Sequence, residues 1–433
     1  MDILIKNALA VTLDTADTVY RCAWIGIDNG KIVYLGESAP ANTTAGRVID
    51  AAGAVAMPGL VNMHTHSPMV LLRGYAEGLP LMQWLTEKVF PVEDQLTDED
   101  MYWASQLAIL EMVSTGTTCF NDMYFGTAGT LRAVRESGIR AVLTYCATDE
   151  DGAVNQNPAI LRTRQLHAEA NGEADGQIMV SVSPHAIYTC SPELLRVTAD
   201  EAERLHAPLH IHLSETVGEN SDCMATHGLS PTAYLDSLGF FRKGTPTIAA
   251  HGVHLSDGDM EILAKYGVSI ASCPESNCKL GSGVCELDKL AAHGVNVCIG
   301  TDGASSNNNL NMLEELHTAA LVLKGVRRDA AVCTPDDILR MGTINGARAL
   351  GVADAFGSLE VGKSADLILV STDKPHMQPM TDIKSNLVYS AQGADVTLTM
   401  AQGRILYENG QFPTIDADAV YHHVRRICDR VLL

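Results

Sequence analysis

An α/β fold built on parallel strands is predicted by three features of the chain. Eight short apolar runs fall between Pro58 and Asp302, and most are separated by stretches with helical signals. Alternation of this kind argues for parallel strands joined by helices. Histidines, a glutamate and an aspartate recur at the C-terminal ends of these runs. Eight such units fit a (β/α)₈ TIM-type barrel, whose active site lies at that end of its strands. Two further β-rich segments flank the runs and predict a small β-sandwich domain formed by both chain termini.

The elements follow in chain order. Ile3–Ile5 alternates, and Ala23–Ile27 leads through Asp28-Asn29-Gly30 into Lys31–Leu35. Asn-Gly between apolar runs is a hairpin signal. The first barrel run, Ala54–Met63, ends in His64-Thr65-His66. The segment Arg73–Glu93 after it, with Trp84, Phe90 and Pro91, exceeds a typical βα loop, and long loops over a barrel mouth are often functional. Thr97-Asp98-Glu99-Asp100 caps a helix running to Val113. The second run, Thr117–Phe120, ends in Asn121-Asp122, the third is Ala141–Leu143, and the fourth, Ile178–Val182, ends in Ser183-Pro184-His185. Ser191-Pro192-Glu193 and Thr334-Pro335-Asp336 each place a cap residue before a proline at the first helical position. The fifth run, Leu209–Leu213, contains His212 and precedes Ser214-Glu215. The sixth, Thr247–Ala250, ends in His251; the seventh is Val268–Ser272; the eighth, Val295–Gly300, ends in Thr301-Asp302. Ala365–Val370, Val396–Met400 and Arg404–Tyr407 are C-terminal strands, the last meeting Asn409-Gly410 in a second hairpin. The expected domains are residues 1–57 with 364–420, a catalytic barrel over 58–363, and a C-terminal helix over 421–433.

Composition excludes several function classes. With 52 acidic and 30 basic residues the formal charge is −22, which argues against nucleic acid or an anionic membrane as partner. No apolar run reaches the ~18 residues of a membrane span. The opening Met1–Lys6 lacks the basic region of an export signal, and the 11 scattered cysteines include no CxxC pair. They read as reduced thiols in a cytoplasmic protein. A small-molecule substrate and a homo-oligomeric assembly are the expectation.

His64 and His66, at i and i+2 on a strand end, present both imidazoles to one ion. His210 and His212 share a face of the fifth strand. His212 is taken as the ligand, being nearer the strand's end and three residues before Glu215. Asp302 adds a hard oxygen. Three histidines and an aspartate suit one divalent ion, Zn²⁺ or Fe²⁺, with room for water. Between Ile178 and His185 no lysine is available to be carboxylated and bridge a second metal. Two other patterns are set aside. His167-Ala168-Glu169 lacks the later Pro-Cys-x-x-Cys of cytidine-type deaminases, and Cys273, Cys278 and Cys285 match no zinc spacing.

Pro58-Gly59-Leu60-Val61-Asn62-Met63-His64-Thr65-His66 resembles the opening motif of the amidohydrolase superfamily. Ser183-Pro184-His185, His212-Leu213-Ser214-Glu215, Ala250-His251-Gly252 and Gly300-Thr301-Asp302-Gly303 resemble its later motifs, and Gly362–Leu367 its C-terminal β domain. Trp84–Glu93, Asn277–Gly283 and Asp302–Asn308 are most similar to the deaminases of 5′-methylthioadenosine and S-adenosylhomocysteine.

The resemblance implies hydrolytic deamination of an adenosine-type nucleoside. Glu215 would shuttle the proton, Asp302 would orient the nucleophile and pass a proton to ammonia, and His251 would hydrogen-bond the hydroxide or oxyanion. Glu93, His185 and Trp84 would bind substrate, Glu93 through the ribose hydroxyls. The chain departs from its relatives after the third strand, where Thr144–Asp151 lacks the arginines that approach a charged 5′ tail. Other aminated heterocycles (a pterin, guanine or a triazine, the last with chloride as leaving group) are the alternative. A non-catalytic binding protein is the rival class, and it would be expected to lack Glu215 or a metal ligand.

Overall fold

The computed structural model describes residues 1–41, 43–79, 81–149 and 153–432, apart from the side chains of Leu81, Met82 and Asn155. Glu150 and Asp151, from the segment without arginine, lie outside the described residues. All eight expected runs contain a strand: β1 Leu60–Thr65, β2 Thr117–Asp122, β3 Arg140–Leu143, β4 Ile178–Val180, β5 Leu209–Leu213, β6 Thr247–His251, β7 Ser269–Ser272 and β8 Asn296–Ile299. They form two parallel four-stranded sheets in sequence order, β1 to β4 and β5 to β8. The sheets touch at both edges. Val182 bridges Leu209 in parallel, with His210 N–H donating to the Val182 carbonyl at 3.0 Å. At the other edge Asp302 N–H donates to the His64 carbonyl at 2.9 Å, and the Asn62 amide donates to Thr301 Oγ1 at 2.7 Å. A Cβ on Gly300 would lie 2.6 Å from His64 N, so only glycine lets β8 come this close to β1. Val61, Met63, Cys119, Val142, Ile248, Ala271 and Cys298 share one apolar cluster with Ala347, Leu350 and Phe356.

The run Ala54–Met63 is two strands rather than one. Val55–Pro58 pairs antiparallel with Leu367–Val370, and the hydrogen-bond partner changes at the next residue. Gly59 N–H still donates to Asp366, whereas Leu60 N–H donates to Gly116 at the start of the β1–β2 pairing. Pro58 has no N–H to continue the first ladder, and Gly59 passes Thr118 where a Cβ would collide at 2.2 Å. Val55–Pro58 thus belongs to a single eight-stranded sheet built from both termini, with Ile3–Val11, Val19–Asp28, Lys31–Gly36, Arg47–Asp50, Leu367–Val370, Val396–Ala401 and Arg404–Glu408.

Asn29 (φ 48°) and Gly30 (φ 73°) turn the first hairpin as expected. The second hairpin is turned by Gln402-Gly403, between Val396–Ala401 and Arg404–Glu408. Asn409-Gly410 instead folds Gln411 back onto Glu408 in an isolated bridge. Both pairs supply the two positive φ values a tight turn requires, so composition alone does not separate them. Thr97, Ser191 and Thr334 cap Asp98–Ser114, Pro192–Leu205 and Pro335–Met341. Arg73–Glu93 contains three short helical pieces, Leu81–Trp84, a π-helical turn Leu85–Val89, and Phe90–Glu93. The C-terminal helix spans Ala417–Val431, starting earlier than residue 421. Among the described residues no helix is long and apolar enough to cross a membrane. All eleven cysteines are free.

Candidate active site

His64 and His66 leave the end of β1, His212 the end of β5, and Asp302 follows β8. Strict alternation would not turn Met63 into the apolar cluster and His64 and His66 into the site. The β1–β2 register shifts between Asn62 and Thr65, and such an irregularity re-aims the side chains beyond it. The three histidines' ligand atoms lie within 4.8 Å of one another. His66 Nε2 is 3.4 Å from His212 Nε2 and 3.2 Å from Asp302 Oδ1, and His64 Nε2 is 3.5 Å from the same oxygen.

Hydrogen bonding decides which nitrogen each ring presents. His66 Nδ1 donates to the Met123 carbonyl at 2.5 Å and His212 Nδ1 to the His185 carbonyl at 2.8 Å. Neutral rings held this way present Nε2 lone pairs, which face each other and a carboxylate oxygen. His64 Nε2, fully buried, has no hydrogen-bond partner among the described residues. Such a cluster repels itself unless a cation lies among the donors. Ligand atoms of a tetrahedral zinc at about 2.0–2.1 Å are about 3.3–3.4 Å apart, so these donors fit a divalent ion. The electrostatics favour the neutral form for His64 and His212, and a charged ring beside Asp302 for His66. Burial pushes His64 down to about 4 and holds His212 well below the usual imidazole range. Burial also opposes charge on His66, but Asp302 outweighs it and lifts that ring to about 9. For Asp302 burial acts upward, and the neighbouring His64 and His66 rings overcome it, holding the carboxyl well below its usual range.

The remaining site residues predicted from sequence line the same cleft, which holds about 580 Å³ of free space, open solvent at its mouth included. Glu215 Oε2 is 3.8 Å from His251 Nε2, and Oε1 accepts from Ser282 at 3.4 Å. Burial raises the Glu215 carboxyl. Glu93 Oε1 accepts from the Tyr124 hydroxyl at 2.7 Å, while its buried Oε2 has no partner among the described residues. His185 Nδ1 bonds Thr189 at 3.0 Å, its ring is stacked beside Phe125, and burial pushes it down to about 3. Trp84 lines the cleft nearly buried. Ser214 (φ 50°), His251 (φ 73°) and Asp302 (φ 61°) lie in the left-handed region that side chains with a Cβ avoid, and such strain clusters at functional sites.

Several residues have supporting roles that the sequence reading does not assign; His210 enters it only as an alternative ligand. His210 is a partner of His64 Nδ1 at 3.1 Å and is itself bonded by Asn121 at 3.2 Å. Asn277 Oδ1 holds His251 Nδ1 at 2.9 Å. Ser276 and Ser306 donate to Asp302 Oδ2 at 2.6 and 2.8 Å. Asn277 and Ser306 fall inside the segments resembling known deaminases, which was their only signal. His167 lies on the helix Pro158–Ala170, away from the site. The metal-type clusters found among the described residues contain no cysteine.

A group of side chains that could hold a metal ion, beside a buried carboxylate at strand ends, is the equipment of a metal-dependent hydrolase. The chain belongs to the amidohydrolase family, whose model matches residues 55–406. It is 45% identical to a 5-methylthioadenosine/S-adenosylhomocysteine deaminase of Moorella thermoacetica, over 98% of each chain. It is 42% identical to a 5′-deoxyadenosine deaminase of Methanosarcina acetivorans, covering 100% of this chain and 98% of the relative. An adenosine deaminase from Xanthomonas campestris, crystallised with zinc, superposes with a TM-score of 0.94 at 35% identity, covering 99% of this chain and 98% of that one.

Proposed function

We propose that this enzyme hydrolytically deaminates an adenosine-type nucleoside to the inosine analogue and ammonia. The nucleosides considered are 5′-methylthioadenosine, S-adenosylhomocysteine, 5′-deoxyadenosine and adenosine. One observation carries the reading: a single cleft holds the buried Glu215 beside the metal donors and, on its wall, Glu93 with an unpartnered oxygen. His64, His66, His212 and Asp302 would hold one divalent ion, most simply Zn²⁺, which when bound lowers the pKa of water to about 7 and so supplies a nucleophile. Glu215 accepts the proton of the attacking water and delivers it to the ring nitrogen beside the carbon under attack. With Nδ1 donating to Asn277 Oδ1, His251 turns Nε2 toward that water and orients it. Asp302, its second oxygen steadied by Ser276 and Ser306, takes the remaining proton of the added hydroxyl and passes it to the amino group, which leaves as ammonia. Glu93 Oε2 accepts from a ribose hydroxyl, His185 holds the base, and Trp84 covers the cleft with apolar surface.

The organisation we propose around this site is one closed (β/α)₈ barrel over residues 58–363, supported by hydrogen bonds at both sheet edges. We further propose that the termini, residues 1–57 with 364–420, form a β-sandwich domain in which the one eight-stranded sheet folds over the apolar cluster of Ile5, Ile25, Leu367 and Met400, with the last helix outside it. Free cysteines throughout support a cytoplasmic setting, and a homo-oligomer is the assembly we expect.

A second cleft adjoins the first at Phe90, Glu93, Tyr124 and Phe125. It adds Asp94 and Asp149 and, among the described residues that line it, no lysine or arginine. Arg164 is engaged by Glu201 at 2.9 Å, and Arg162 lies over the Tyr145 ring. A 5′ tail ending in a carboxylate therefore meets negative charge, while a methylthio group needs only the apolar wall. The test is ammonia release from the four nucleosides and from a pterin, guanine and a triazine. Methylthioadenosine should match or exceed S-adenosylhomocysteine in kcat/KM. Turnover confined to the other heterocycles would overturn the nucleoside reading.

A further inference from the structure

Glu219 lies on the helix Val217–His227, and no step proposed above uses it. Its setting, Thr216-x-x-Glu219, is that of a reciprocal helix N-cap. Three other helices show what such a box does in this protein. Asp100, Asp259 and Asp337 reach back to the N–H of their own cap residues Thr97, Ser256 and Thr334, at 2.8, 2.9 and 2.8 Å. Thr216 performs its half, accepting from Glu219 N–H at 3.1 Å. The Glu219 carboxylate does something else. One methylene longer than aspartate, it reaches past the cap and accepts from two N–H groups further out, Ser214 at 3.0 Å and Glu215 at 2.8 Å.

Those two N–H groups flank the left-handed Ser214, and successive N–H groups converging on one anion hold a strained turn in place. The same peptide is gripped from the opposite side. The Ser214 carbonyl accepts from Val253 at 3.0 Å and His254 at 2.9 Å, just beyond His251, while Asn220 donates to the His254 carbonyl at 2.6 Å. The first turn of one helix thus fastens the end of β5, which carries Glu215, to the end of β6, which carries His251.

We infer that Glu219 is a positioning residue whose carboxylate locks the Ser214–Glu215 backbone and so aims Glu215 at the reacting water. This rests on the role of Glu215 proposed above. Two substitutions separate it from a capping role. In Glu219→Asp the carboxylate has the length used by the other three caps, so the helix stays capped while Ser214 and Glu215 lose their acceptor. We expect kcat to fall about 10- to 100-fold, as when an outer support of a catalytic group is removed. Substrate affinity, read as KM, should stay near wild type, the signature of an interaction expressed in the transition state. Metal content and thermal midpoint should also stay near wild type. Glu219→Gln keeps the length but offers one acceptor to two donors, and should lower kcat in the same manner. Wild-type kcat in Glu219→Asp, or a fall in kcat matched by a lower thermal midpoint and a raised KM, would overturn the inference. Should the wild type act only on another heterocycle, the nucleoside reading fails while the same comparison on that heterocycle still decides the role of Glu219. A crystal structure of Glu219→Asp decides it without turnover. Glu215 should leave its position 3.8 Å from His251, and an unmoved Glu215 contradicts the inference.

Discussion

General acid–base catalysis needs a group that exchanges its proton near neutral pH, and burial moves the Glu215 carboxyl upward toward that range. Glu215→Gln keeps the shape and removes the proton transfer, so kcat should fall at least ~10²-fold with metal content unchanged. Near-normal turnover would show that the proton travels by another route. Glu93 predicts a different signature. A site built to bond a hydroxyl leaves its own polar group unpaired when the hydroxyl is missing. Adenosine should therefore surpass its 2′-deoxy analogue in kcat/KM by more than ~10-fold, and Glu93→Ala should shrink the gap. Glu219 adds a pH-dependent one. Burial lifts its carboxyl from 4.5 to about 7, so between these values the folded protein keeps a proton that the unfolded chain has released. That contribution to stability is complete below pH 4.5 and lost as pH rises to about 7. Relative to Glu219→Gln, the wild type should lose about 3 kcal/mol over that window, read from urea unfolding of both proteins. A gap independent of pH would contradict the raised value. The candidate metal ligands were legible in the sequence because strand ends display them in short motifs. Asn277, His210 and Glu219 were not, because their partners are set by tertiary contacts or, for Glu219, by reach past an ordinary capping motif.

At the scale of elements, short apolar runs and cap residues located all eight parallel strands and three helix starts. They failed where one apolar stretch serves two sheets. Nothing in the hydrophobicity of Ala54–Met63 marks the change of partner at Gly59; the contacts to Asp366 and Thr118 do. The second hairpin failed for a related reason, since Gln402-Gly403 and Asn409-Gly410 both adopt turn geometry and strand pairing chooses between them. The junction between β3 and the terminal sheet rests on a buried ion pair. The Arg140 guanidinium is bonded to Asp366, to Ser364 at 2.8 Å and to the Gly176 carbonyl at 2.9 Å, with both charged side chains nearly inaccessible. Removing one partner strands the other charge. Asp366→Ala should cost about 3–5 kcal/mol in urea unfolding and leave KM unchanged, because the pair is remote from the cleft. A cost below about 1 kcal/mol would mean that water reaches Arg140 once Asp366 is gone.

Across the whole molecule, strands from the two ends of the chain complete one sheet, and the parallel strands between them deliver donors to a common end. The α/β class and the position of the site were readable because this architecture repeats the same strand-to-helix unit. The strong negative charge bears on partners rather than on fold. The acid-lined second cleft became visible only once Asp94 and Asp149 were brought beside Glu93. The central claim is that one divalent ion among His64, His66, His212 and Asp302 drives deamination. It is tested most directly by stripping the protein with a chelator and titrating Zn²⁺ back while ammonia release from methylthioadenosine or adenosine is followed. Activity should be absent from the stripped protein, return in proportion to added zinc, and saturate at one ion per chain. Full activity without metal, or a requirement for two ions per chain, would contradict it.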